Sequence, residues 1–227
     1  MSTTTRVLAD SIQNILDYLV GADLALYANP LSITPTRVTF IRHHPEAAFL
    51  VDRSHPGLDQ YLSWISTGSY SAVLADAGLL QMSFKVEGGK VTEHRLAYTP
   101  CPFILDEEML KSGEPIADIV ETYRGSDAPM RTPIRFDYAP AVSKRGHPAS
   151  HVTLNGANCR IACVAPMHPM RFVDFVYRSF YPDQWVAHEP FFRPAVGRHL
   201  GPGVITEDDQ QSVHVSWNIH ASVACRK

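Results

Sequence analysis

Arg135, Asp137, Tyr138, His147, His151, Thr153 and Arg160 form the densest run of reactive side chains in the sequence. In an extended strand only alternate residues share a face, so Arg135 and Asp137 point together while Phe136 and Tyr138 point the other way. The same count makes His151 and Thr153 co-facial. If two such strands pair with these faces matched, the carboxylate can orient the imidazole and raise its basicity. The guanidinium can then grip phosphate or carboxylate through two parallel hydrogen bonds. Such a set suits phosphoryl chemistry: His151, His147 and Asp137 are the candidates for proton transfer, and Arg135, Thr153, Arg160 and Arg178 for holding the substrate. The plainer alternative is a buried Arg135–Asp137 salt bridge, with His147 closing a turn before Pro148.

A second pattern extends the set. HVTL at 151–154 and HVSW at 214–217 each read His, apolar, hydroxyl, apolar. Paired tetrads of this form resemble those of the two-histidine phosphoesterase superfamily. That resemblance implies that one imidazole takes a proton from the attacking hydroxyl and the other protonates the leaving oxygen, with no metal required. Carried onto this chain, His151 and His214 are the acid and base, and Thr153 and Ser216 hold the phosphate oxygens. Two ordinary strand histidines are the alternative, since the residues before the two tetrads do not repeat.

Cys159 and Cys163, with His147, His151 and His168 nearby, offer zinc-ligand types. Four residues of strand span about 13 Å, too far for one tetrahedral site. The expectation is therefore no metal and no cofactor. Glycine-rich phosphate loops, a GxSxG elbow and paired glutamates on a helix are absent from the sequence, which disfavours loop-based nucleotide hydrolysis and serine-esterase chemistry. Arg171, Arg178, Arg193, Arg198 and Arg226 interleave with Tyr177, Tyr181, Trp185, Phe191 and Phe192, as on a surface that binds single-stranded nucleic acid. Helix-face arginines above an apolar core are the more ordinary meaning.

The elements that must position these residues can be read in turn. Leu8, Ile12, Ile15, Leu16 and Leu19 recur at steps of three and four and predict an N-terminal helix, with Ser2 to Thr5 as caps. Pro30 and Pro35 stop it. Arg37 to Asp52 reads as two short strands turning near His43, His44 and Pro45, and Leu58 to Ile65 as one or two helical turns ended by Gly68. LLQMSFKV, EGGK and VTEHRLAYTP spell a hairpin whose turn uses Gly88 and Gly89. Its Leu80, Met82, Phe84 and Val86 face a core, and Gln81, Ser83 and Lys85 face away. Asp106 to Leu110 and Ile116 to Tyr123 read as short helices over a sheet edge. PIRFDYAP, ASHVTLN and CRIACV follow as strands. A helix begins near Pro169, with Met170, Val173, Val176, Tyr177 and Phe180 on its buried stripe. A connector rich in proline and aromatic residues, Pro182 to Pro202, then leads to VHVSWNIHASV, which alternates like a final strand.

The strings RFDYAP, HPASHVTLN and NCRIACVAPMHPMRFVDFVYRSFY, arriving in this order, resemble a bacterial family of uncharacterised proteins, domain of unknown function 2290. LLQMSFKV and HRLAYTPCPF are similar to the same family's earlier sheet, so the resemblance covers roughly residues 75 to 182. Ile161-Ala162-Cys163 departs from the isoleucine-proline-valine run of that family. The resemblance implies an accessory protein of bacteria, near mobile elements or phage defence, and carries no activity with it.

Length and composition set the outer bounds. A chain of 227 residues, 45% hydrophobic and 19% charged, can bury a sizeable core, which argues against disorder. A net charge of −3 excludes the broad positive field of a protein that coats duplex nucleic acid, though not a local basic groove. No apolar run reaches the roughly 18 residues that a spanning helix needs, the start lacks a secretory layout, and four scattered cysteines form no disulfide framework. The expectation is one cytoplasmic α+β domain over residues 1–227, away from membranes. Its central sheet is mostly antiparallel, with an N-terminal helix and the Pro169 helix against it. The leading function is metal-independent action on a phosphodiester of RNA or a nucleotide, in an enzyme or toxin-like component. The rival is a non-catalytic accessory module that binds a partner protein or a nucleotide.

Overall fold

The apolar stripe of the first helix is buried along its length. In α1 (Thr3–Gly21), Leu8, Ile12, Ile15, Leu16 and Leu19 all lie inside, and the Ser2 hydroxyl caps the first turn by accepting from Thr5 N–H. The computed structural model describes residues 1–41, 57–129, 131–154 and 159–219. The expected turn at His43, His44 and Pro45 lies outside these residues, as do Arg226 and the end of the expected last strand.

The strands are β1 (Ala25–Ala28), β2 (Leu31–Thr34), β3 (Arg37–Phe40), β4 (Ala72–Leu74), β5 (Leu79–Glu87), β6 (Lys90–Thr99), β7 (Ile134–Tyr138), β8 (Ser150–Leu154), β9 (Arg160–Cys163) and β10 (His214–Val215). They form one sheet in the order β1-β4-β5-β6-β7-β8-β9-β10, with the β2–β3 hairpin attached through β3 to β5. Every pairing is antiparallel except the last, in which β10 runs parallel to β9. The fold is therefore α+β with a mostly antiparallel open sheet. At the β5–β6 turn Gly88 and Gly89 take φ of +56° and +75°, values that cost an L side chain about 1 kcal/mol or more.

The helices that follow are α2 (Leu58–Ser66), α3 (Glu107–Leu110), α4 (Ile116–Thr122), α5 (Pro169–Phe180), α6 (Pro182–Ala187), α7 (Glu189–Phe192) and α8 (Glu207–Gln210). One sheet face carries Leu80, Met82, Phe84, Leu96, Phe136 and Val152, and it packs under α1 and α5. The stripe of α5 is Phe172, Val173, Val176 and Tyr177. Phe180, expected on that stripe, is instead exposed, because it lies at the end of the helix where the chain turns into α6.

The opposite face is covered only in part. Tyr61 and Trp64 of α2 and Ile119 and Val120 of α4 join Phe40, Val73, Leu79 and Ala97 in a second apolar cluster, to which no residue of β7, β8 or β9 belongs. Met109 and Leu110 of α3 pack against the same cluster, so α3 and α4 lie on a face of the sheet, where an edge was expected. This second layer also explains why Gln81, expected to face away from the core, is buried: its amide donates to the Ser69 carbonyl beneath the layer.

The C-terminal end carries more helix and less strand than its sequence pattern suggests. The connector after α5 folds into α6 and α7; Phe191 stacks on Tyr18 of α1, and the fully buried Phe192 stacks on Tyr177 of α5. Among the described residues, the alternating run from Val213 pairs only at His214 and Val215. No helix among the described residues is long and apolar enough to cross a membrane.

Candidate functional site

The register of β6 to β10 lines polar residues up in rows on the face that the second helical layer leaves uncovered. One row is Arg95, Asp137, His151, Ala162 and His214, each the cross-strand neighbour of the next; the adjacent row is Ala97, Arg135, Thr153 and Arg160. The β7–β8 connection then folds back over these rows. Lys144 and His147 exchange backbone hydrogen bonds around Arg145–Gly146, and Gly146 supplies the positive φ of +75° that such a turn needs at its third position. This turn brings the His147 ring edge-on to His151, with centroids 5.0 Å apart.

Asp137 is the hub. Its Oδ2 accepts from Arg135 Nε at 2.6 Å and lies 3.5 Å from His151 Nε2, while Arg95 Nε stands 3.8 Å from Oδ1. Arg135, Asp137 and His151 are 5%, 7% and 3% exposed. His151 Nδ1 faces the Pro148 carbonyl oxygen at 2.9 Å; the carbonyl can only accept, so Nδ1 carries the proton. Burial holds the imidazole below its ordinary pKa, and the Asp137 charge opposes this without winning. The neutral ring therefore has both nitrogens turned to the protein.

Around this hub lies a small hollow of about 100 Å³ lined by Glu93, Arg95, Arg135, Asp137, His147 and Arg160, among others. Three guanidiniums share it with two carboxylates, and Glu93 is already taken by Lys85 Nζ at 3.2 Å. Positive charge is in surplus. In these two rows three buried polar atoms make no hydrogen bond among the described residues: Asp137 Oδ1, Thr153 Oγ1 and Arg160 Nε. Buried polar atoms are normally satisfied, so three together point to a missing partner.

The structure thus brings together Arg135, Asp137, His147, His151, Thr153 and Arg160. His214 and Ser216 do not converge with them. Both are exposed, His214 Nδ1 donates to Ser212 O at 3.1 Å, and β10 ends before Ser216. His151 and His214 flank Ala162 from opposite sides, which sets their backbones about 10 Å apart, and His151 turns away toward β7. Arg178 is on the wrong side of the sheet. It sits on α5, paired with Asp174 at 3.3 Å and stacked 4.1 Å over the Trp185 ring.

The interleaved arginines and aromatics likewise serve the chain itself: Arg193 pairs with Glu189, and Tyr177 and Phe192 are buried. Cys163 is buried on the face under α5 and Cys159 is exposed. No three His, Cys, Asp or Glu residues among those described are arranged to hold a metal.

Sequence reasoning missed Arg95. Its place on the second strand of the hairpin was visible, but only the β6–β7 register sets it against Asp137. A second, wider hollow of about 900 Å³ opens at the other end of the sheet beside Tyr98, Ile134, Phe180 and Tyr181. There the Tyr98 and Tyr181 hydroxyls meet at 2.8 Å and Tyr181 donates to Asp76.

A family model described as an uncharacterized conserved protein, DUF2290, matches residues 25–217. No curated protein and no solved structure matches the chain.

Proposed function

The chain belongs to the DUF2290 family of uncharacterized conserved proteins, and we propose that this member is a binding module that holds a phosphate group of a nucleotide or nucleic-acid strand in the hollow around Asp137. The observation that carries the reading is the surplus of guanidinium there: Arg95 and Arg160 join Arg135 around a single carboxylate not otherwise engaged. Guanidinium pairs match phosphate geometry through parallel N–H donors. Binding without chemistry is favoured because the one fully positioned imidazole, His151, is sealed, with neither ring nitrogen directed at the opening. We further read the chain as cytoplasmic, since Cys101 and Cys163 are free and buried, as suits a reducing compartment.

Titrating a nucleoside monophosphate and a labelled RNA strand into the protein by calorimetry tests this. Arg95→Gln and Arg160→Gln should each weaken binding roughly tenfold and leave Tm nearly unchanged. Affinities equal to that of the unaltered protein overturn the reading.

A second reading, phosphodiester cleavage, is favoured by one contact: half-buried His147 meets His151 within reach of the same hollow. Turnover of labelled RNA and cyclic nucleotides in chelator by the protein and by His151→Ala decides it. Equal turnover by the two rejects a catalytic His151.

A further inference from the structure

The two oxygens of Asp137 have different surroundings. Oδ2 accepts from Arg135 and is faced by the unprotonated His151 Nε2. Oδ1, on a residue only 7% exposed, accepts no hydrogen bond from any described residue, and Arg95 Nε stands off at 3.8 Å, beyond hydrogen-bond reach. A buried carboxylate oxygen left in this state is costly, on the order of the full desolvation penalty of a charged acceptor. It calls for a donor. Arg95 stands over it with room to move, its side chain 49% exposed.

The neighbouring row adds Thr153 Oγ1, which can donate or accept, and Arg160 Nε, a donor, both likewise without a hydrogen bond among the described residues. Thr153 is the cross-strand neighbour of both Arg135 and Arg160. The site therefore offers guanidiniums for an anion and, beside them, an acceptor waiting for a hydroxyl or amide proton. A ligand that fits both must carry a donor directly next to its phosphate.

Resting on the reading of this hollow as a phosphate site, we propose that Asp137 Oδ1 accepts from the ribose 2′-hydroxyl of the nucleotide whose phosphate Arg95 and Arg160 hold, so that the module selects RNA over DNA. The 2′-hydroxyl is a donor set beside the 3′-phosphate, and it is the group by which a protein tells the two polymers apart. On binding, Arg95 swings from Oδ1 to the phosphate and uncovers the carboxylate oxygen for the sugar. Discrimination then comes from the ligand that lacks the donor, which leaves a buried charge unsatisfied.

The ribose contact is tested by varying the ligand, and the phosphate site by the single variant Arg160→Gln. Fluorescently labelled strands of one sequence are made as RNA, as DNA and as 2′-O-methyl RNA, and their affinities for the full chain are measured by anisotropy. RNA should bind roughly tenfold more tightly than either of the others. Equal binding of all three, weakened by Arg160→Gln, overturns the ribose contact and leaves the phosphate site standing. Binding of none, or binding indifferent to Arg160→Gln, overturns the phosphate site and the ribose contact together.

Discussion

His151 Nε2 lies 3.5 Å from the same Asp137 oxygen that accepts from Arg135 Nε at 2.6 Å. Since Nδ1 donates its proton to the Pro148 carbonyl, a neutral His151 presents a lone pair to a carboxylate that Arg135 holds by a hydrogen-bonded ion pair and Arg95 only by a longer contact of 3.8 Å. The Arg135 guanidinium is therefore what makes the arrangement tolerable. Its removal leaves a charge buried with no hydrogen-bonded counter-charge.

Arg135→Met should accordingly cost about 3–5 kcal/mol, the usual penalty for breaking one side of a buried pair. The double variant Arg135→Met/Asp137→Leu should recover most of that loss, because an apolar pair of similar volume carries no desolvation penalty. Urea midpoints of the two variants and of Asp137→Leu alone complete the cycle. Additive losses would mean that the pair contributes nothing as a pair.

A second prediction concerns acid. His94 is fully enclosed between Phe84 and Tyr138, and its Nε2 accepts from Met167 N–H at 2.8 Å. Burial drives its pKa down to about 3, and burial with the nearby Arg198 and Arg171 charges drives that of His168 down to about 4. Unfolded imidazoles titrate near 6.5. Between those values the unfolded chain binds more protons than the folded one, so stability falls as pH drops. Above about 6.5 these histidines leave stability flat; below it the loss grows until the folded groups themselves protonate. Every tenfold loss of proton affinity on folding corresponds to about 1.4 kcal/mol, so His94 alone can remove a large share of a typical 5–15 kcal/mol. His94→Gln keeps an acceptor for Met167 and cannot titrate. Its Tm should change less between pH 7 and about pH 4.5 than that of the unaltered protein; an identical slope would rule His94 out as the acid-sensitive group.

The strand that carries the hub was legible because alternation is local: RFDY and HVTL fix which side chains share a face before any pairing is known. The pairing itself was not. Arg95 meets Asp137 through a β6–β7 register set across the intervening α3 and α4 segment, and no local pattern encodes that. The β5–β6 hairpin could be read from Gly88–Gly89, yet the burial of Gln81 could not, since a second layer of helices covers a face that looks polar in sequence. VHVSW alternates like a strand, but a strand needs a partner edge, and β9 offers β10 only two residues of it. Arg178 failed for a related reason. Helical periodicity placed it correctly off the buried stripe of α5, but periodicity does not tell which face of the sheet the helix will cover.

That displacement yields the last prediction. Arg178 sits across the sheet from Asp137, engaged with Asp174 and with the Trp185 ring, whose Nε1 also donates to Asp174 at 2.8 Å. The guanidinium is half exposed, so solvent screens the ion pair and the ring contact is the larger part of its contribution. Arg178→Ala should lower stability by less than about 1 kcal/mol and leave binding of every phosphate ligand unaltered. Arg160→Gln should do the reverse, since it removes a donor from the hollow without touching α5. Measuring both variants for Tm and for anisotropy with labelled RNA separates the two faces. If Arg178→Ala weakens RNA binding as much as Arg160→Gln does, the nucleic acid follows the helical face and the hollow around Asp137 is not its site.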